Sequence, residues 1–422
     1  MYSQYKSIDL NFAEQIPIDW KTLRGKFVFK EINERSKDGK EQLLSVSEHK
    51  GVVPRDSINV TMFQAENYQG YKLCKKGDLV INSLWAWHRG LGVSEYEGIV
   101  STAYSVLRLK QPEQWNYKFL NYLLRTNAYT GEYLIRSKGI WTSRLQLTSS
   151  NFLDIPILIP PIEVQNAIVA YLDEKNEEIE KFIDKKLRLI ELTNEQKRVV
   201  INNAVTLGIN KNAPTQELGF EWLKKYPRHW NIKKWKYVFS IRNGQVDPKK
   251  YPNEILIAPN HIESGTGEIV YKETAFEQNA ESGKYLMKKG DIIYSKIRPE
   301  LNKVCIAEED GLCSADMYAI HSRKEYDQEF LKYLFLSESF NKAMVESSMR
   351  VAMPKVNRED VKNYQSAFPD LTEQKQIVSY IKTETEKINQ AISTAKKEIS
   401  VIQEYRESLI TNLVTGQKAV PM

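Results

Sequence analysis

The sequence writes the same series of segments twice, with an offset of about 210 residues. "IPPIEVQNAIVAYLDEKNEEIEKF" resembles "FPDLTEQKQIVSYIKTETEKINQA", with Gln165 aligned to Gln374. Earlier in each half, "IPIDWKTLRGKFVF" resembles "YPRHWNIKKWKYVF", "CKKGDLVINS" resembles "MKKGDIIYSK", and "YKFLNYLL" resembles "QEFLKYLF". Four matches in one order indicate an internal repeat, and a repeat predicts that one structural unit is built twice. Each half therefore reads as a globular domain followed by a long helix.

The segment that ends each repeat has the periodicity of a long amphipathic helix. In the second copy, apolar residues recur every seven positions from Ile381, which is typical of coiled coils. Lys186 and Thr193 interrupt the pattern of the first copy. Each helix starts after a proline and ends near a glycine, Gly208 or Gly416. The residues that we expect at the interface between the helices are Ile168, Leu172, Ile179, Ile183, Ile190, Ile381, Ile388, Ile392, Ile399, Ile402 and Leu409.

Two arrangements would bury the apolar stripes of these helices. About 45 residues at 1.5 Å each make a rod of roughly 65–70 Å, and such a rod cannot bury its stripe alone. Either each helix packs on its own globular domain, or the two helices pair with each other. The matching length and register of the copies favour the pair. We therefore expect an antiparallel coiled coil with a pseudo-two-fold axis, which places the two globular domains at opposite ends.

The globular halves combine short strands with helices. "DLVINSLWAW", "GIVSTAYSVLRL", "DIIYSKI" and "EILIAP" have the composition of strands, and "KKGD", "SGTG" and "KDGK" separate such segments as turns. "YKFLNYLLRTNAYTGEYL" and "QEFLKYLFLSESFNKAMV" are typical of helices. We expect an α+β protein in which two tandem mixed α/β domains, each with a twisted or barrel-like sheet, are separated by the long helices. The predicted boundaries are 1–155, 156–212, 213–366 and 367–422, with the helices in the second and fourth segments.

The composition limits the class of protein. With 422 residues, of which 41% are hydrophobic, the chain has enough apolar material for two cores. No segment approaches the ~20 apolar residues of a membrane span, and the first residues lack the apolar region of a secretory signal. Three cysteines without metal or disulfide spacing fit a reducing compartment, so we expect a cytoplasmic protein with no membrane partner. A net charge of +6 permits a polyanionic partner without identifying it.

The sequence lacks the catalytic and cofactor motifs that we sought. Neither G-x-x-x-x-G-K-[ST] nor G-x-G-x-x-G is present, nor is the Asp/Asn-Pro-Pro-aromatic motif of amino-methyltransferases. The five histidines are scattered, without metal-ligand spacing. "FPDLTEQK" superficially resembles a nuclease signature, but Asp370, Glu373 and Lys375 are too close together for that site. We interpret them as the cap of a helix, and we predict no catalytic residue and no metal ligand.

The repeated junction and the end of the chain carry a resemblance to a known family. A proline followed by E-x-Q/E-Q-x-x-I-V-x-Y-[LI], written twice, and a terminal "LI-T-x-[LA]-V-T-G" resemble the specificity subunits of type I restriction-modification systems. The resemblance covers almost the whole chain. Val164 departs from the family pattern, where glutamate is common, and Asp370 stands in place of a second proline. These departures do not change the predicted architecture.

The resemblance implies a function for each part of the chain. Each globular half would be a target recognition domain that reads one half of a split sequence in double-stranded DNA. The helices would set the distance between the half-sites and dock two modification (methyltransferase) subunits, which restriction (motor-nuclease) subunits join. S-adenosylmethionine, ATP and magnesium would belong to those partners, and this chain would bind no cofactor and make no bonds. Because the halves differ in sequence, we expect an asymmetric, bipartite target.

Basic loops at matching places of the two repeats are the predicted DNA contacts. Arginine and lysine suit guanine and phosphate, asparagine and glutamine suit adenine, and serine and threonine contact either. The alternative for each residue is an ordinary solvated side chain, and Trp85 and Trp87 are expected to be partly core. The candidates are Trp87, His88, Arg89, Arg136, Lys138, Thr142, Arg144, Arg242, Asn243, Gln245, Lys296, Arg298, Lys303, Arg350 and Lys355.

Two other functions compete with DNA recognition. One is catalytic, either a fused restriction-methylation enzyme or a stand-alone nuclease, and the missing motifs argue against it. The other is a scaffold that joins proteins through its coiled coil without any DNA specificity. Cleavage or methylation by the chain alone would identify the first, and failure to shift random-sequence DNA with or without a methyltransferase partner would identify the second.

Overall fold

The chain forms two compact units, and each unit contains one globular repeat with parts of both long helices. The computed structural model describes residues 2, 4–58, 67–139, 145–220, 223–349 and 355–421. Unit 1 comprises Met1–Lys185 and Lys397–Met422, and unit 2 comprises Lys186–Lys396. The division between the units falls inside both long helices. The four predicted segments instead keep each helix whole, and their boundaries stay a prediction. No helix in the described ranges combines the length and the apolarity of a membrane span.

Unit 1 is built from short strands, four helices that belong to its globular part and segments of both long helices. The globular elements are β1 (Tyr5–Leu10), β2 (Ala13–Pro17), β3 (Lys21–Arg24), α1 (Gly25–Val28), β4 (Phe29–Ile32), β5 (Leu44–Ser47), β6 (Gly51–Pro54), β7 (Lys72–Cys74), β8 (Leu79–Asn82), β9 (Leu91–Val93), β10 (Gly98–Val100), β11 (Tyr104–Leu109), α2 (Tyr117–Leu124), α3 (Asn127–Arg136), α4 (Ser149–Leu153) and β12 (Pro156–Ile159). The first long helix, α5 (Ile162–Leu207), follows β12.

Unit 2 repeats this series. Its globular elements are β13 (Thr215–Phe220), β14 (Leu223–Pro227), β15 (Asn231–Lys234), β16 (Phe239–Ile241), β17 (Gln245–Val246), β18 (Leu256–Ile257), β19 (Lys284–Met287), β20 (Ile292–Ser295), β21 (Val304–Ile306), β22 (Gly311–Cys313), β23 (Met317–Ser322), α6 (Gln328–Leu336), α7 (Glu338–Ser348), α8 (Arg358–Asn363) and β24 (Gln365–Phe368). The second long helix, α9 (Leu371–Val414), follows β24. Both long helices therefore lie where the sequence predicts them.

The main sheet has the same strand order in both units, whereas among the described strands unit 2 has a second four-stranded sheet, β17-β19-β22-β18, and unit 1 has the two-stranded sheets β10-β7 and β5-β6. The four-stranded antiparallel sheet has the order β4-β11-β8-β9 in unit 1 and β16-β23-β20-β21 in unit 2. Leu79 lies opposite Leu107 in the first sheet, and Ile292 lies opposite Ile320 at the same register of the second. Each of these sheets has a linear strand order among the described strands, and the choice between a twisted and a barrel-like sheet stays a prediction. The repeat that was predicted from sequence is thus a repeat of strand order and register.

The central strand of each sheet is buried on both faces. In β8, Leu79 and Ile81 contribute to the large core of unit 1, while Val80 faces a smaller cluster formed with β5, β6, β7 and β10. In β20, Ile292 belongs to the large core of unit 2 and Ile293 to a smaller cluster. Because neighbouring side chains of a strand point to opposite faces, a strand between two apolar layers reads as an unbroken apolar run. This explains "DLVIN" and "DIIYS".

The helix that was predicted after each sheet is two helices. In unit 1 the break falls between α2 and α3, where the Thr126 hydroxyl accepts a hydrogen bond from Tyr129 N. In unit 2 it falls between α6 and α7, where the Ser337 hydroxyl accepts from Phe340 N. Threonine and serine favour this N-cap position because their oxygen satisfies a free N–H group of the first turn. The caps let the chain turn between the two helices of each unit, so that both helices pack on the sheet side of that unit.

A buried glutamine has the same role in both copies of the junction before the long helix, which explains why the junction is repeated. Gln165 donates from Nε2 to Pro160 O at 2.9 Å, and its Oε1 accepts from Asn116 N at 2.9 Å. Gln374 donates to Pro369 O at 3.0 Å and accepts from Asp327 N at 2.8 Å. Asn116 and Asp327 are the N-caps of α2 and α6. The glutamine therefore joins the start of each long helix to the globular part of its own repeat.

Each long helix ends against a tryptophan of the other repeat. Gly208, at φ 75°, follows α5 and lies beside Trp230, and Gly416, at φ 77°, follows α9 and lies beside Trp20. A positive φ suits glycine at a helix C-terminus because it has no Cβ. In this way α5 begins in the core of unit 1 and ends in that of unit 2, while α9 does the reverse.

The tryptophans differ in one contact that corresponds to a sequence departure. Trp230 Nε1 donates to Glu373 Oε1 at 3.1 Å. Val164 occupies the place of Glu373 in the first repeat, and the buried Trp20 Nε1 has no hydrogen-bond partner in the described part of the chain. The departure from the family pattern at Val164 therefore leaves the fold intact but coincides with an unpaired buried donor.

The helices contact each other inside each unit, in an antiparallel arrangement. In unit 2, Lys197 of α5 donates to Asn389 of α9 with an Nζ–Oδ1 distance of 2.9 Å. In unit 1, Arg406 of α9 pairs with Glu180 of α5. The late part of one helix thus meets the early part of the other in both units. This excludes the alternative in which each helix packs only on its own domain.

Candidate nucleic-acid interface

Two loops of equal length follow the same strand of each repeat. We call them tip loop 1 (residues 83–90, SLWAWHRG), between β8 and β9, and tip loop 2 (residues 296–303, KIRPELNK), between β20 and β21. In both, a 3-10 turn begins at the fourth residue, and the seventh residue has a positive φ, 56° at Arg89 and 44° at Asn302. The two loops share these features, but the backbone of the third residue differs, with φ −123° at Trp85 and 48° at Arg298.

Arg89 in tip loop 1 is engaged by the protein itself. Its guanidinium lies 2.5 Å from Glu407 Oε2 on α9 and donates to Asn127 Oδ1 at 2.8 Å. Its neighbour His88 lies 3.1 Å from Glu48 Oε1. The contact of Arg89 with DNA stays a prediction, but these partners give the side chain a structural task, because they fasten tip loop 1 to the long helix.

The two tryptophans of tip loop 1 have different surroundings. Trp87 is half-buried, packs against the core of unit 1 and donates from Nε1 to Leu84 O at 3.0 Å. Trp85 is 55% exposed, and its ring lies nearly parallel to that of Trp87, with centroids 6.2 Å apart and planes at 13°. The expectation of a partly buried ring suits Trp87, whereas Trp85 presents much of its indole to solvent.

Arg125, which was not among the predicted contacts, holds the end of tip loop 1 in place. One of its nitrogens donates to Arg89 O at 3.0 Å and also to Leu91 O, and the other donates to Glu48 O. Burial, and then the charge of Arg89, lower the pKa of Arg125 to about 10. Since the guanidinium stays charged at neutral pH, it holds three backbone carbonyls together, and it fixes the end of the loop.

Tip loop 2 contains three basic side chains, of which two have protein partners. Lys296 donates to Ala315 O, and Lys303 donates to Pro259 O at 2.7 Å. Arg298 is exposed and, within the ranges that the structure describes, its side chain has no hydrogen-bond or ion-pair partner. Among the predicted contacts of this loop, Arg298 is therefore the cation that is available to an external anion or base.

The remaining predicted contacts are spread over other parts of the two units. Arg136 pairs with Glu132 four residues earlier in α3, at 3.0 Å. Lys138 and Lys355 are exposed and take part in isolated β-bridges, and Gln245 lies exposed on β17. Lys355 lies beside tip loop 2, because its bridge partner is Ile297 of that loop. The bridge partner of Lys138 is Gln146, and the next residue, Leu147, donates from N to Ser83 O of tip loop 1 at 2.9 Å. The predicted contacts that lie outside the described residues are Thr142, Arg144 and Arg350.

Arg242 and Asn243 are also held by protein groups. Arg242 donates to both oxygens of the buried Asp291, the aspartate of the second "KKGD", and these bonds raise the pKa of its guanidinium. Asn243 accepts from Arg358. In the first repeat the "KKGD" aspartate, Asp78, binds an arginine from a different strand, Arg108 of β11, at 2.8 Å to each oxygen. Arg242 thus has the structural role that Arg108 has in unit 1.

The predicted helix-interface residues point inward. Seven are buried, namely Ile168, Leu172, Ile179, Ile183, Ile381, Ile388 and Leu409, and four are partly buried, namely Ile190, Ile392, Ile399 and Ile402. Several belong to the globular cores, since the helix ends are built into them. Their contacts across the helix pair stay a prediction. Lys197 was missed, although it lies seven residues after Ile190 and so continues the apolar ridge.

The described residues hold no group of three or more potential metal ligands. The residues that resemble a nuclease signature have capping tasks instead. Asp370 accepts from Glu373 N at 2.8 Å, and the Glu373 carboxylate binds Trp230 and His229. This supports the interpretation of "FPDLTEQK" as a helix start and assigns its acidic groups to packing.

Comparison with known proteins gives similarity over most of the chain. A family model described as the type I restriction modification DNA specificity domain matches residues 17–192 and 227–400. The specificity subunit of the type I restriction enzyme EcoDI from Escherichia coli is 28% identical over 412 residues, which cover 90% of this chain and 86% of that one. The specificity subunit of MjaVIII from Methanocaldococcus jannaschii is 24% identical over 300 residues, covering 68% and 67%.

A solved structure supports the fold. A chain from a study of complex assembly and conformational transition in the type I R-M system has a TM-score of 0.65, with 96% of this chain and 99% of that chain covered. Its sequence identity is 16%, so the likeness concerns the arrangement of strands and helices.

Proposed function

Because this chain belongs to the family of type I restriction-modification DNA specificity subunits, whose model matches both of its repeats, we propose that it selects an asymmetric, bipartite DNA target for a modification and restriction complex. The observation that carries the proposal is the pair of units whose main sheets have the same strand order and whose tip loops differ in sequence. Two readers with one scaffold and unlike side chains would recognise two unlike half-sites.

The helix pair would set the spacing between the half-sites. α5 and α9 run without a break for 46 and 44 residues, and stiff helices transmit a distance that flexible linkers cannot. B-DNA advances about 34 Å per turn, so a fixed spacer selects half-sites that present the same groove. The contacts of Lys197 and Arg406 across the pair support this role.

The same helices would dock two modification subunits, which restriction subunits would join. Several large apolar residues are exposed along them, and these residues supply apolar surface that a partner could cover. They are Leu187, Leu189, Leu192, Val199, Tyr380, Val401 and Tyr405. Leu192→Ser should weaken co-purification with a modification subunit. Its exposed neighbour Glu191, changed to Ser, serves as the control, since it pairs with Arg188 only at the surface.

The chemistry of the complex would belong to the partners. We propose that this chain catalyses no reaction itself, and that S-adenosylmethionine, ATP and magnesium bind to the modification and restriction subunits. The structural tasks of two acidic residues support this assignment, since Asp370 caps the start of α9 and the Glu373 carboxylate binds Trp230.

Methylome sequencing tests the proposal directly. A host that expresses this chain with its modification subunit should carry methylated adenines in a split motif with two unlike halves, and a host with the modification subunit alone should not. A continuous motif, or methylation independent of this chain, would contradict the proposal. Cleavage or methylation of DNA by the purified chain alone would favour the catalytic alternative.

A further inference from the structure

The tip loops differ most sharply in chemistry at their third residue. This position is Trp85 in tip loop 1 and Arg298 in tip loop 2. The fourth residues, Ala86 and Pro299, are both buried and start the same turn. The 3-10 turn is therefore shared, whereas at the residue before it the backbone differs, with φ −123° and 48°, and the exposed side chain changes from a neutral aromatic ring to a cation. At a position with these properties, two units that otherwise resemble each other would acquire preferences for different bases.

Trp85 is held in place rather than loosely exposed. Trp87 lies nearly parallel to it and is itself fixed by the core of unit 1 and by its bond to Leu84 O. Leu84 adds a second exposed apolar side chain at the same tip, at 49% exposure. Since Arg89 and Arg125 fasten the end of this loop, the indole is presented on a rigid base, at low entropic cost for binding.

Arg298 occupies the matching position of tip loop 2 with a different backbone conformation. Its backbone adopts φ 48°, in the left-handed region, where a side chain other than glycine is strained. The other two cations of the loop, Lys296 and Lys303, are occupied by backbone carbonyls. The strained backbone therefore projects the cation of this loop that has no partner in the described ranges.

Resting on the proposed function, we propose that Trp85 and Arg298 are the base-reading residues of their tip loops, and that they read opposite halves of the target by different chemistry. Trp85 would make an apolar contact with a base, without any charge. Arg298 would donate two hydrogen bonds to O6 and N7 of a guanine in the major groove, the geometry for which a guanidinium is suited. The two halves of the target would thus differ because tip loop 1 makes an apolar contact with a base, whereas tip loop 2 recognises the hydrogen-bond acceptors of a guanine.

Salt dependence separates a contact with a base from a contact with a phosphate. The full chain, assembled with its modification subunit, is titrated with a fluorescent duplex that the unaltered complex has selected from a random-sequence pool. We expect Trp85→Ala to weaken binding roughly 5- to 100-fold with the slope of log K against log[salt] unchanged, because an uncharged contact releases no counterions. Arg298→Ala should weaken binding by a similar factor and relax the preference for one guanine, whereas a slope shallower by about 1 would indicate a phosphate contact and would contradict base reading.

Selection of duplexes by each variant tests the assignment to half-sites. Trp85→Ala should lose base preference in one half of the motif, and Arg298→Ala should lose a guanine in the other half. The matched controls are Tyr237→Ala, an aromatic that is 54% exposed outside the loops, and Arg228→Ala, an exposed arginine, and neither should change affinity or motif.

Two further results would overturn the assignment. One is wild-type affinity, slope and motif in both tip-loop variants while the unaltered complex binds its target. The other is loss of preference in both halves from one substitution. Failure of the unaltered complex to select any duplex would instead overturn the proposed function, and this inference with it.

Discussion

Lys197 and Asn389 join the two long helices through a hydrogen bond of 2.9 Å in unit 2, and Arg406 and Glu180 join them at the equivalent positions in unit 1. Both the cations and the acceptors are related by the same offset of 209 residues. The repeat in the sequence is therefore also a repeat of contacts. Each helix supplies one cation and one acceptor, which requires the helices to run antiparallel.

The two partners of this contact should respond to substitution with opposite signs. Lys197 occupies an apolar ridge and its side chain is only 11% exposed. Asn389→Ala leaves that ammonium without its close partner and should lower the free energy of unfolding by about 1–2 kcal/mol. Lys197→Met removes the buried charge and should leave stability unchanged or higher. Urea unfolding measures both, and a larger loss for Lys197→Met would contradict this account.

Arg406 provides the comparison within the same chain. Its acceptor Glu180 is 58% exposed, so Arg406→Met should change the free energy of unfolding by less than about 1 kcal/mol.

The buried tryptophans predict that one acidic residue stabilises its repeat. Glu373→Val leaves Trp230 Nε1 unpaired, and since an unsatisfied buried donor costs about 1–3 kcal/mol, the variant should be destabilised by that order. Glu373→Gln keeps an acceptor and serves as the control. At the equivalent position, Val164→Glu should raise stability by up to about 1 kcal/mol because it offers Trp20 an acceptor. Equal melting of Glu373→Val and Glu373→Gln would show that the Trp230 bond contributes nothing.

The glutamine at each helix junction should be needed for the attachment of the long helix. Gln374→Met keeps the side-chain length but leaves Asp327 N and Pro369 O without their partner, each at a cost of about 1–3 kcal/mol. Hydrogen exchange should then report faster opening at the start of α9 and α6. Lys375→Met, on the exposed side of the same turn, is the matched control, and identical exchange in the two variants would remove this role from the glutamine.

The cysteines should be unreactive in the folded protein. Burial raises the pKa of Cys74, Cys305 and Cys313 from 9.0 to about 12. Because the thiolate is the reactive form, all three thiols stay protonated and shielded at about pH 8. A disulfide reagent such as DTNB should label none of them rapidly in native buffer and all of them in denaturant. Rapid labelling of one native cysteine would place that thiol in an open or mobile environment.

Several structural features follow from short stretches of sequence. The positions of α5 and α9 are predicted well because seven-residue periodicity, a preceding proline and a following glycine act within a few residues of one another. The alignment of "KKGD" with "KKGD" likewise places two equivalent turns and two equivalent strands. A helix break such as Thr126 was missed, although a capping residue before a second apolar period is a signal that sequence can provide.

What the sequence by itself determined is the repeat, the two long helices and, through the resemblance carried by their junctions, the family. Only the tertiary structure decided which side chains remain available for a partner. Arg89 and Arg298 are both arginines in basic loops, yet Arg89 pairs with Glu407, 318 residues away in the chain, and Arg298 stays exposed. Asp78 binds Arg108 of β11, whereas Asp291 binds Arg242, which directly follows β16. Local patterns express backbone preferences over a few residues, whereas an ion pair depends on which distant groups the completed fold brings within a few ångströms.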